Sequence, residues 1–262
     1  MITALSIAGS DPTGGAGLQA DLQVFRVHGV HGMGVPTALT VQDTTRVRSV
    51  LPVFPSVVLD QLRTLLRDVV PDAIKIGALG SDDVARNVAL GLREIDPTRP
   101  VPIVIDPVLA AGDGTPLLER RAWGTLCDLI GRAHLVTPNL PEAAALTEGD
   151  VSTREGVEAA AARLVTGFGA GAALVKGGHA EGAPDDLLAI RSGGSVSFEW
   201  LPGERLAGSE LHGTGCALSS AIAARLAGGA ALRDAVAAGR RFVREAIRHA
   251  HARFLVYPSP PR

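Results

Sequence analysis

Short apolar runs and amphipathic helical patterns take turns along almost the whole of this 262-residue chain, and that alternation limits the folds open to it. Apolar strands are read at 2–8, 33–40, 46–53, 73–77, 102–106, 134–137 and 172–176. A hairpin of 187–191 and 195–201 follows, turning around Ser192-Gly193-Gly194. Helices are read at 16–28, 57–70, 81–95, 117–132, 140–147, 154–166, 214–227 and 232–253. A run such as Ile103-Val-Ile105 has no polar alternate, so it has no face meant for water. Strands of that kind belong in a parallel sheet covered by helices on both faces, which makes the chain an α/β protein. No linker, composition break or repeat divides it, so one domain is expected over 1–262. In such sheets ligands bind outside the carboxyl ends of the strands, and polar motifs there are the first candidates for chemistry.

Composition excludes several classes. With 46% apolar and 20% charged residues, the chain can build a core and is not disordered. A net charge of −2 provides no basic field for a polyanion, so no nucleic-acid partner is expected. The two cysteines, Cys127 and Cys216, cannot form a disulfide framework or a cysteine-rich zinc site, and they suit a reducing compartment. No uncharged apolar run reaches the roughly 18 residues of a membrane span. The start, Met-Ile-Thr-Ala-Leu-Ser, lacks the charged opening of a signal peptide, so a cytoplasmic protein is expected. Of 25 basic residues only Lys75 and Lys176 are lysine. A lysine kept in so arginine-rich a chain points to a place where a compact ammonium cannot be exchanged for a planar fork.

Five segments at strand ends carry possible chemistry. In Leu211-His-Gly-Thr-Gly-Cys-Ala-Leu-Ser-Ser a glycine-rich loop opens into a long helix. Gly213 and Gly215 leave backbone N–H groups open at the positive end of the helix dipole, an anion hole fit for a phosphate. Cys216 falls in the first turn, where a thiol pKa is lowered. The same segment also reads as an ordinary strand–helix turn. In Gly9-Ser-Asp-Pro-Thr-Gly-Gly-Ala-Gly-Leu-Gln-Ala-Asp21, Asp21 shares the apolar face of Leu18, Leu22 and Phe25. A buried carboxylate needs a partner, which a ligand hydroxyl or amine, or an arginine, could supply. Asp106 closes the buried strand 102–106 and could hold magnesium through water, or end the strand in an Asx turn. Asn139 and Glu142 read as a helix capping pair, or as a second carboxylate beside the metal. Lys176, before Gly177-Gly178-His179, could reach nucleotide phosphates as a point charge. Together these are the parts of phosphoryl transfer. There is no P-loop, Gly-x-Ser-x-Gly or His-Glu-x-x-His motif. Gly167-Phe-Gly-Ala-Gly-Ala172 precedes a strand rather than following one, so it fails as a dinucleotide fingerprint. His249 and His251 read as part of a solvated basic face on the last helix, and Cys127 as a core residue.

With Thr-Ala-Leu-Thr-Val-Gln42-Asp-Thr added, these motifs occur in an order that resembles the hydroxymethylpyrimidine/phosphomethylpyrimidine kinase family of thiamine biosynthesis, within the ribokinase superfamily. The likeness runs from about residue 2 to about residue 250. It implies a ribokinase-like three-layer α/β/α sandwich with a mostly parallel central sheet, ATP and Mg²⁺ as cofactors, and a homodimer. It also implies phosphorylation of 4-amino-5-hydroxymethyl-2-methylpyrimidine and then of its monophosphate. By this resemblance Gly213, Thr214 and Gly215 form the anion hole, and Cys216 stands where sugar kinases have a general-base Asp. Lys176, Asn139 and Thr214 face ATP, Asp106 and Glu142 organise magnesium, and Gly9, Asp21 and Gln42 surround the pyrimidine. Two positions depart from the pattern. Asp43 stands where Asn is expected, and the tail from Phe254 lacks the Gly/His-rich ending of the family. A pyridoxal or pyridoxine kinase of the same fold, or a non-catalytic vitamin-precursor binding protein, remains the alternative. Gln42 and the Lys176–His179 segment favour the pyrimidine.

Overall fold

The computed structural model describes residues 1–95, 97–179, 182–206 and 211–258, apart from the side chain of His179. In chain order the elements are β1 (Thr3–Ser10), α1 (Gly17–Val27), β2 (His31–Gln42), β3 (Val47–Pro52), α2 (Pro55–Asp68), β4 (Ala73–Ile76), α3 (Asp82–Gly91) and β5 (Ile103–Ile105). Then come α4 (Trp123–Ile130), β6 (Leu135–Val136), α5 (Leu140–Thr147), α6 (Arg154–Ala162), β7 (Ala172–Val175), β8 (Asp186–Ser192), β9 (Ser195–Leu201), α7 (Thr214–Ala227) and α8 (Leu232–Arg248). All nine strands join one sheet in the order β3-β2-β1-β4-β5-β6-β7-β8-β9. The pairings from β2 through β7 are parallel, while β2–β3, β7–β8 and β8–β9 are antiparallel.

The pleat explains why the strands carry no polar alternates. Ile103 and Ile105 pack into one core while Val104 packs into the other; Leu135 and Val136 divide the same way, as do Ala172 and Leu174 against Ala173 and Val175. One core is closed by α2, α3, α4, α5 and α6, the other by α1, α7 and α8. The result is the three-layer α/β/α arrangement expected from the alternation. Because α7 lies between the sheet and its neighbours, residues Ala217–Ala224 are all buried, which is why this helix is apolar nearly all round. β1 and β4 are neighbours in the sheet, and the chain leaves them toward opposite faces, into α1 and α3. That reversal opens a crevice at the carboxyl ends of the central strands.

Some predicted boundaries move. The last helix ends at Arg248 rather than at residue 253, so His251 and Arg253 lie beyond it. Leu255 is buried in the α7–α8 core. The chain turns at Ala252 (φ 54°) and bridges His251 to Phe254 to place it there. α4 starts at Trp123 because Leu117 and Leu118 donate instead to the Leu109 carbonyl. β2 extends to Gln42, since its last residues pair with β3, Thr40 with Val50, Val41 with Ser49 and Gln42 with Val47.

Candidate active site

The site assembles where β1, β5, β6 and β7 end. Asp106 follows β5, and Lys176 follows β7. The Lys176 Nζ donates to Asp106 Oδ1 at 2.9 Å, and Thr137 Oγ1, just beyond β6, donates to the same oxygen at 3.1 Å. Lys176 and Asp106 side chains are 16% and 3% exposed, so this ion pair is largely buried, with the lysine its more exposed member. A backbone bridge from Asn139 to Lys176 carries the β6–β7 ladder up to it. Burial pushes the Asp106 carboxyl up, but Lys176 and then Lys75 outweigh it and hold it below the usual range. Burial likewise lowers Lys176, and Asp106 and Glu142 more than offset that. Among the described residues Asp106 Oδ2 has a single long contact, 3.5 Å from Ser219, so it keeps acceptor capacity.

Across from the ion pair stands the start of α7. Gly213 has φ +88°, and a Cβ there would sit 1.8 Å from the Gly15 carbonyl oxygen. Only glycine permits that crossing of the two glycine-rich loops. A Cβ on Gly215 would lie 3.2 Å from Lys176 Nζ and 3.5 Å from Asp106 Oδ2, so the missing side chain leaves space in front of the ion pair. No side chain caps α7 and no acid lies in its first turn, in contrast to α3, α5 and α6, which Ser81, Asn139 and Thr153 cap. Among the described residues its first N–H groups thus meet no side-chain acceptor, the arrangement in which a helix start can receive an anion.

The two loops are also tied by a hydrogen bond between side chains. His212 Nε2 and Asp11 Oδ2 are 2.9 Å apart, and Asp11 accepts further bonds from Thr13 and the Ala16 N–H. Burial pushes Asp11 up, yet His212, Thr13 and Gln42 prevail and hold it at about 2. Gln42, the last residue of β2 and half-buried, thus belongs to the first glycine loop. Gly9 is buried within β1. Phe254 packs on Gly15, so the tail does border this loop.

Two expectations change, for Cys216 and Asp21, and the capping reading of Asn139 and Glu142 holds. The Cys216 thiol, half-buried, is not lowered: burial pushes it up to about 11, with Lys75 opposing and Asp21 and Asp106 adding. The low dielectric outweighs the helix terminus. Asp21 does not open on the pocket; it is wholly buried against Lys75 at 2.8 Å. The side chain of Asn139 accepts from the Glu142 N–H and Glu142 returns a bond to the Asn139 N–H, each 2.8 Å, a capping box rather than a free pair. Among the described residues no group of three or more His, Cys, Asp or Glu could hold a metal by itself. Sequence reasoning assigned no role to Asp11, His212 or Lys75. The scarcity of lysine pointed at Lys75. Nothing local pairs His212 with a partner 201 positions away.

Glu142 gives a pH prediction. Burial, with Asp106 adding and Lys176 opposing, pushes its carboxyl up to about 7 from 4.5. The folded state then binds more protons than the unfolded chain between these values, so stability falls as pH rises through that window. Thermal unfolding from pH 5 to pH 8 should show this loss, and Glu142→Gln should flatten it. An equal slope in both proteins would remove Glu142 as its source.

Residues 11–254 match the phosphomethylpyrimidine kinase family model. The hydroxymethylpyrimidine/phosphomethylpyrimidine kinase of Rhizobium meliloti is 40% identical over 245 residues, covering 93% of this chain and 90% of that protein. The chain spans about half or less of the bifunctional and multifunctional thiamine biosynthesis proteins it also matches, at 49%, 33% and 32% of their lengths. The crystal structure of the Clostridium difficile phosphomethylpyrimidine kinase superposes with a TM-score of 0.82 at 33% identity, covering 94% of this chain and 100% of that one. An ADP complex of Bacillus subtilis pyridoxal kinase superposes with a TM-score of 0.84 at 31% identity, covering 96% and 93%.

Proposed function

This chain belongs to the phosphomethylpyrimidine kinase family, and from that premise we propose that it moves the γ-phosphoryl group of ATP onto the hydroxymethyl oxygen of 4-amino-5-hydroxymethyl-2-methylpyrimidine, and then phosphorylates the monophosphate. The observation that carries this reading is the uncapped start of α7 facing the Lys176–Asp106 pair across the gap left by Gly215. Phosphoryl transfer needs positioning and offset of negative charge, and these groups supply both. Gly213–Gly215 hold the transferring group through backbone N–H donors, with Thr214 beside them. Lys176 draws charge from the phosphates, and Asn139 stands at the same edge. An ATP-turnover assay with the alcohol, its monophosphate and pyridoxal tests the proposal; turnover with the first two is expected, and activity on pyridoxal alone would replace it.

Magnesium suits the donor set. Asp106 Oδ2 keeps an acceptor, and Glu142 is a carboxylate whose ionisation the local cations do not fully offset. A Mg²⁺ ion bound through water at Asp106 and Glu142 would supply that missing positive charge. Residues 1–262 are proposed as one kinase domain, working in the cytoplasm; the single continuous sheet supports the first. No helix among the described residues is long and apolar enough to cross a membrane. A homodimer through the β2–β3 hairpin is supported by Leu39, Val41 and Leu51, each half or more exposed. Leu39 and Leu51 are register partners, and Val41 shares the face of Leu39. Light scattering should give twice the chain mass, and Leu51→Asp should halve it.

Gln42 is proposed to read the pyrimidine edge together with Gly9, since its amide offers both a donor and an acceptor. Gln42→Ala should lower kcat/KM for the pyrimidine by roughly 5- to 150-fold, the cost of about 1–3 kcal/mol for an unsatisfied buried polar group. Pyridoxal, which lacks the amino edge, should lose much less. Equal losses for the two compounds would reduce Gln42 to a support for Asp11.

A further inference from the structure

Beneath the anion-binding turn lies a sealed cluster that the proposed reaction does not touch. Asp21 from α1 and Lys75 from β4 form an ion pair with bonds of 2.8 and 3.0 Å. Ser6 from β1 donates to Asp21 Oδ2 at 2.6 Å, and Ser220 from α7 donates to Oδ1 at 2.7 Å. All four side chains are 0% exposed. The carboxylate accepts two bonds from the ammonium and two from hydroxyls, so its lone-pair sites are taken. No room remains for a ligand.

Stability is a poor reason for such an arrangement, because well-packed apolar residues of similar volume often serve as well as a buried ion pair. Its connections offer a better one. Ser220 lies four residues after Cys216, one turn deeper on the same face of α7. α7 has no side-chain cap, and above its first turn the chain is held by the Gly213–Gly15 crossing and the His212–Asp11 bond. The bond from Ser220 to Asp21 adds a fixed point from below, against two strands and α1. Lys75 reaches further, acting on both Cys216 and Asp106 by charge.

We infer that the Ser6–Asp21–Lys75–Ser220 cluster is a positioning device for phosphoryl transfer, setting the rotation and depth of the first turn of α7 and so the place of the Gly213–Cys216 amides relative to Lys176. The inference rests on the reading of that turn as the anion-binding element.

The test combines Asp21→Asn, Lys75→Met, their double variant, Ser220→Ala and Ser220→Thr. Each charge variant alone leaves an uncompensated buried group and should lower Tm sharply, while the double variant should regain most of the Tm. A positioning role predicts that kcat does not return with it. It should stay about 10- to 100-fold down, the scale of a misplaced reacting group, with KM for ATP and the acceptor little changed. Ser220→Ala should lower kcat with a small change in Tm, and Ser220→Thr should restore it. Amide hydrogen exchange at 214–217 should quicken in Ser220→Ala and in the double variant, a readout independent of turnover. Recovery of kcat together with Tm in the double variant, or wild-type exchange at 214–217 in Ser220→Ala, overturns the inference. If the wild-type chain phosphorylates no offered alcohol, the functional reading fails on its own, and the exchange data still decide whether the cluster positions the turn.

Discussion

Cys216→Ala is expected to lower kcat by about 10²–10⁴, the range for a positioned proton-handling or orienting group, while KM for ATP changes little. The residue sits at the third position of α7, beside the Gly213–Gly215 donors. Its thiol is pushed up to about 11 by burial. At pH 7 that leaves a thiolate fraction of only about 10⁻⁴. The thiol is therefore expected to work in its neutral form, orienting the acceptor hydroxyl while phosphate approaches from the helix start. The neutral form persists up to about pH 11, so kcat should stay level between pH 7 and 9. A tenfold rise per pH unit over that interval would mean that thiolate is the working species. A fully active alanine variant would leave Cys216 as a packing residue.

Lys176→Ala should lower kcat by about 10²–10³, comparable with the loss of one preorganised donor to developing charge. It should also destabilise the fold, since Asp106 would be left 3% exposed without its nearest cation. Lys176→Arg should restore stability better than rate. The ammonium lies close to where a Cβ on Gly215 would be, at 3.2 Å, and a guanidinium fork is too wide to stop there. It would enter the space that the phosphate needs. Steady-state kinetics and thermal unfolding on both variants separate the two effects. Equal rates for the lysine and arginine enzymes would remove the point-charge role, and with it the argument from lysine scarcity.

The alternation of apolar strands and amphipathic helices determined the layered architecture, because a strand such as Ile103–Ile105 can be satisfied only with a core on each side. The helix bounds of α5 and α7 were equally legible, since each depends on local chemistry: Asn139 and Glu142 cap one, and Gly213 starts the other. The positions of Asp106 and Lys176 at strand ends followed from the same pattern. What sequence could not decide was how these ends meet. The Asp106–Lys176 pair joins residues 70 positions apart, and Ser220 reaches Asp21 across 199. Local propensity carries no information about such partners. The ionisation of Cys216 belongs to the tertiary structure for a related reason: a helix start lowers a thiol locally, but the dielectric around it depends on everything packed there. Asp21 is the same case in reverse. Its place on an apolar face showed that it needed a partner, and only the approach of β4 made that partner Lys75 rather than a ligand.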